Sequence, residues 1–92
     1  MNTRNFLLLI TAGVLATSLV HAGRFGSGGV KETYDAGTKT SGNTVYAVRC
    51  NSGGGSTAFQ KSDGYWYDTS GNNHGDRYRN LSLSEFARKV CE

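Results

Sequence analysis

Two cysteines, Cys50 and Cys91, follow an amino-terminal segment patterned for export, and this combination narrows the possible folds more than any other feature of the chain. Met1 to Asn5 is short and polar with one arginine, Arg4. Phe6 to Val20 is apolar, and Val20-His21-Ala22 places a modest side chain three positions before, and alanine just before, a cleavage point. That order is the pattern of a secretory signal removed after Ala22. A spanning helix needs about 20 apolar residues, and this run is shorter and diluted by Thr11, Gly13, Thr17 and Ser18. In an oxidising compartment an even cysteine count implies a disulfide, and two cysteines allow one intramolecular pairing. Bridging them closes a loop of about 40 residues, for which the chain-entropy model gives roughly 4 kcal/mol of stabilisation. Redox catalysts favour Cys-x-x-Cys spacing, which is absent, so Cys50–Cys91 reads as a structural staple.

The expected organisation is a cleaved signal over 1–22, a flexible Gly-rich arm over 23–29 and a single small disulfide-stapled domain over 30–92. About 70 mature residues lie near the lower edge for one unaided core. Beyond the signal there is no Ile or Met, and the only leucines are Leu81 and Leu83. Aromatic residues therefore supply much of the core: Phe25, Tyr34, Tyr46, Phe59, Tyr65, Trp66, Tyr67, Tyr78 and Phe86.

Val30 to Asp35 reads as an edge strand with Val30, Glu32 and Tyr34 on one face, and 36–43 as a turn-rich connector. Thr44 to Cys50 is the strongest strand, rich in β-branched and aromatic residues and apolar on both faces, hence central. Asn51 to Gly55 turns the chain. Asp63-Gly64 between two strand-like runs predicts a two-residue type I′ hairpin. That turn places Lys61 opposite Trp66 and Gln60 opposite Tyr67, with Phe59, Lys61 and Trp66 on one face and Tyr65 and Tyr67 on the other. Asp68 to Asp76 is a polar loop, and Arg77-Tyr78-Arg79 a short extended segment. Ser82-x-x-Glu85 is a capping box, with Leu81 and Phe86 placed as a hydrophobic staple. Leu83, Phe86, Ala87 and Val90 recur on one helical side, and Arg88 and Lys89 suit the last turn. The predicted fold is α+β: a small antiparallel sheet of three to four strands, with one C-terminal helix packed on one face.

The chemistry-bearing residues point away from catalysis. His74 is the one histidine beyond the signal, and with Ser70 and Asp68 or Asp76 it would form a triad inside one Gly-flanked loop without rigid support; it reads as a surface histidine. Zinc needs three or more protein ligands, and these are lacking. Asp68, Ser70, Asn72 and Asp76 offer oxygens for calcium. However, Asn73 and Arg79 occupy the positions where an EF-hand loop carries Gly and Glu. No catalytic residue, cofactor or metal is expected. Setting Arg4 aside leaves nine basic residues against seven acidic ones, without the dense basic stripe of a nucleic-acid binder or the cationic amphipathic face of a membrane binder.

Tyr and Arg are enriched at binding hot spots, so the candidate surface is Tyr65, Tyr67 and Tyr78 with Arg77 and Arg79. Asn80-Leu81-Ser82 matches the N-glycosylation pattern. The expectation is a periplasmic or secreted non-enzymatic binding module. Its partner would be a protein or glycan of the envelope or medium, with no nucleic acid partner and no membrane span after cleavage. An inhibitor acting through the 68–76 loop and a small toxin or membrane-active protein are the alternatives.

Overall fold

The β-branched and aromatic run before Cys50 is the middle of a sheet. The computed structural model describes residues 23–92; the expected export signal lies outside the described residues. Strands β1 (Val30–Thr40), β2 (Asn43–Cys50), β3 (Gly55–Gln60) and β4 (Trp66–Tyr67) form one antiparallel meander in the order β1-β2-β3-β4. A 3-10 turn (Asp76–Tyr78) and helix α1 (Leu83–Val90) follow, and Cys50 and Cys91 are bonded. This is the small α+β architecture that the sequence predicts.

The core lies between the sheet and α1. Strand alternation sends Val48 and Cys50 of β2, Ala58 of β3 and Trp66 of β4 into it, where they meet Phe86, Ala87, Val90 and Cys91. Trp66 stacks on Phe86 with ring centroids 4.4 Å apart, and its indole N–H donates to Leu81 O at 3.0 Å. The polar atom of the largest core side chain is thus satisfied, as burial requires. The capping box forms as read: Ser82 Oγ accepts from Glu85 N at 3.1 Å, and Glu85 Oε1 accepts from Ser82 N at 2.8 Å.

Four local expectations change. First, β1 continues to Thr40, with register irregularities after Val30 and after Asp35. The turn is confined to Ser41-Gly42, both at positive φ (51° and 81°), as a two-residue hairpin loop demands. Second, the Asp63-Gly64 hairpin is one residue longer than predicted, pairing Phe59 with Tyr67 and Gln60 with Trp66. A type I′ turn needs positive φ at both central residues, and here Gly64 alone has it, at 87°. Instead Gly64 N donates to Lys61 O (3.0 Å) and Asp63 Oδ1 accepts from Tyr65 N (2.9 Å). A slip of one position reverses every face, so Trp66 faces the helix and Phe59 stacks on Tyr67 across the opposite face (5.7 Å). Third, the segment predicted as extended at Arg77–Arg79 is mostly 3-10 turn.

Fourth, the Gly-rich segment expected as a flexible arm is packed onto the domain as a strap. The last carbonyls of a helix lack intrahelical donors, and the strap supplies them. Phe25 N and Gly26 N donate to Val90 O (2.7 and 3.2 Å), and Gly29 N donates to Cys91 O (2.9 Å). On its other side Ser52 N donates to Ser27 O (3.1 Å) and Asn51 N to Gly29 O (2.9 Å). The strap therefore crosses the disulfide, tying the end of α1 to the β2–β3 turn. A Cβ on Gly26 would stand 3.2 Å from Cys50 Sγ, so close approach accounts for that glycine.

Candidate binding surface

Because Trp66 is drawn into the core, its neighbours Tyr65 and Tyr67 are presented on the outside, each half-buried. Both hydroxyls are held: Tyr65 donates to Asp76 Oδ1 and Tyr67 to Asp63 Oδ2, each at 2.6 Å. A cation lies over each ring, with Arg79 Cζ 4.9 Å from the Tyr65 centroid and Lys61 Nζ 4.4 Å from that of Tyr67. Arg79 Nε also donates to Asp63 O at 3.2 Å. Two tyrosines, two cations and two carboxylates thus form one layer over the hairpin.

The electrostatics follow from these bonds. The Tyr67 hydroxyl, and then the Tyr65 amide, hold the Asp63 carboxyl below the usual carboxylate range. The same carboxylates push both phenols up, Tyr65 through Asp76 and Tyr67 through Asp63, since donation stabilises the neutral phenol.

The predicted surface is gathered only in part. Tyr65, Tyr67 and Arg79 come together, and Arg77 is exposed on the adjoining 3-10 turn. Tyr78 does not join them. It is only 5% exposed and packs edge-on against Phe86, because the 3-10 turn points it inward. Lys61 belongs to the layer and was not predicted; the hairpin register that carries it over Tyr67 was the missing information. A second feature, a shallow groove of about 270 Å³ on the face away from α1, is lined by Tyr34, Ala47, Arg49, Gly55 and Thr57. Tyr34 is 48% exposed, and Arg49 pairs with Glu32 (3.7 Å) at its edge.

His74 is not a surface residue. Asn73 bridges to Tyr67 on the outer face, so by alternation the next side chain turns inward. His74 is 9% exposed, beside Phe25, Tyr78 and Phe86. Its ring nitrogens make no hydrogen bond to Ser70, Asp68 or Asp76, and burial holds it below the usual histidine range. Asp68 Oδ1 instead accepts from Ser70 N and Asn72 N (2.9 and 3.0 Å), bracing its own loop. The Asn72 amide, first, and the Ser70 amide keep its carboxyl below the ordinary range. Among the described residues no cluster of three or more His, Cys, Asp or Glu side chains could hold a metal ion, and no helix is long and apolar enough to cross a membrane.

The fold and this surface define a small α+β domain with one disulfide and an aromatic–cation face on its last hairpin. Comparison with protein-family models, curated proteins and solved structures finds no match to the chain.

Proposed function

We propose that the chain is a small exported, non-enzymatic binding module of the periplasm or medium that recognises a protein partner through its last hairpin. The surface is Tyr65, Tyr67 and Arg79 with Lys61, extended by Arg77. The observation that carries this reading is preorganisation. Each tyrosine is fixed by a hydroxyl–carboxylate bond and covered by a cation, so little side-chain entropy remains to be lost on association. Tyr and Arg fixed in this way have the character of binding hot spots. The test is retention of partners from envelope extract and culture medium on the immobilised oxidised protein, comparing wild type with an Arg77→Glu/Arg79→Glu variant whose unfolding midpoint is unchanged. A partner held by wild type and lost by the variant supports the assignment. Equal retention by both refutes it.

The adjoining loop favours a second reading, inhibition of a secreted or periplasmic enzyme. Residues 69–73 are exposed while Asp68 holds their backbone in place, the arrangement that lets a loop enter an active site without ordering cost. A panel of hydrolase assays with added protein tests it, and no inhibition in any of them refutes it.

A further inference from the structure

Among the described residues, His74 carries buried side-chain nitrogens, Nδ1 and Nε2, that have no hydrogen-bond partner. An unpaired buried polar group is costly, and its charged form far more so. Three aromatic rings wall it in: Phe86 at 5.6 Å, Phe25 at 5.7 Å and Tyr78 at 6.2 Å between centroids. None of the three hydrogen-bonds a ring nitrogen of His74. Phe86 is fixed in α1 and Tyr78 in the 3-10 turn. Phe25 belongs to the strap, which lies outside any helix or strand ladder and is held by isolated backbone bonds, from Phe25 and Gly26 to Val90 O, from Gly29 to Cys91 O, and from Asn51 and Ser52 to Gly29 O and Ser27 O. The strap is therefore the wall that yields.

We propose that His74 is an acid-sensitive latch: its protonation releases the strap, residues 23–29, from the end of α1 and uncovers the Cys50–Cys91 disulfide. The charged groups bearing on the ring support the direction. Arg24, on the strap itself, repels an imidazolium, and Asp68, on the loop, attracts one more weakly. The helix and the 3-10 turn face the ring with the aromatic rings of Phe86 and Tyr78. Closed, the strap lies over the disulfide, with Gly26 against Cys50, and both cysteines are at most 1% exposed. Open, the histidine regains water and its ordinary proton affinity. Below the ordinary histidine value of about 6.5, acid then favours opening, by at most about tenfold for each pH unit. The latch is independent of the proposed binding surface, which lies on the other face of β4.

The test is amide hydrogen exchange of the oxidised protein near pH 7.5 and near pH 4.5, with protection taken relative to the intrinsic rate at each pH. Protection of the Phe25, Gly26 and Gly29 amides is expected to fall by up to about 100-fold, while the β2–β3 amides stay far better protected at both pH values. Reduction of the disulfide by a phosphine, which acts at acid pH, should accelerate in parallel. His74→Phe keeps the packing and removes the proton, and should abolish both changes. If that variant fails to fold, Phe25→Ala serves instead, with strap protection low and pH-independent. Unchanged strap protection in wild type, or the same acid response in His74→Phe, overturns the proposal.

Discussion

Replacing both cysteines by alanine should remove most of the domain's stability. Cys50 ends β2 and Cys91 follows the last turn of α1, 41 positions later. In the chain-entropy model a loop of that length restricts the unfolded chain by roughly 4 kcal/mol. Both side chains are also core members, 1% and 0% exposed, so truncation adds a packing loss to the entropic one. A domain of about 70 residues has a total stability of roughly 4–10 kcal/mol. The double variant should therefore be partly unfolded in water or unfold at very low urea. The assay is equilibrium urea unfolding followed by the fluorescence of Trp66, the one tryptophan of the chain. Its stacking on Phe86 at 4.4 Å makes it report on the helix–sheet contact that the disulfide secures. Comparison of slopes shows whether the transitions expose the same surface. A variant that loses less than about 1 kcal/mol with an unchanged slope refutes the reasoning: the helix would then be held by packing, and the staple would be redundant.

Three further outcomes follow from the same geometry. Ser82→Ala removes the acceptor of the Glu85 amide and should cost about 1 kcal/mol, read by urea unfolding. Phe86→Ala removes the ring on which Trp66, Phe25 and Tyr78 converge; a loss of about 3–5 kcal/mol is expected, with collapse of the near-ultraviolet dichroism. Tyr67→Phe deletes the hydroxyl that most lowers Asp63, so the Asp63 carboxyl should titrate closer to its ordinary range, as followed by carboxyl-carbon NMR.

How far the fold was legible depended on whether its determinants were local. The capping box Ser82-x-x-Glu85 and the apolar run Thr44 to Cys50 are local signals, and both elements form where read. The hairpin signal was local too, but Asp63-Gly64 serves more than one turn type. The choice was made at a distance, by the gain from stacking Trp66 on Phe86 and bonding its indole to Leu81 O. The strap was illegible for a related reason. Glycines that confer freedom and glycines that permit close packing read the same, and only the carbonyls of Val90 and Cys91 in search of donors distinguish them. His74 reads as exposed because polar neighbours surround it, and Tyr78 counts both among the core aromatics and on the candidate surface. Alternation from the Tyr67–Asn73 bridge and the pitch of the 3-10 turn sent them inward.

The same alternation makes the candidate surface depend on the core, and only its arginines, unlike Tyr67 stacked on the buried Phe59, stand clear of that core. In Tyr65-Trp66-Tyr67 the middle residue is an anchor, 1% exposed and bonded through its indole. Its neighbours are consequently aimed outward at fixed spacing, with Asp76 and Asp63 holding their hydroxyls. A substitution at Trp66 should therefore disorder both tyrosines and abolish any recognition through them. Arg77 and Arg79 are both exposed, and although Arg79 lies over Tyr65 and donates to Asp63 O, such exposed contacts contribute less than about 1 kcal/mol to stability. Binding and folding are separable from the surface side alone, which is why the charge-reversal pair, rather than a tyrosine truncation, discriminates the proposed function from a purely structural role for the hairpin.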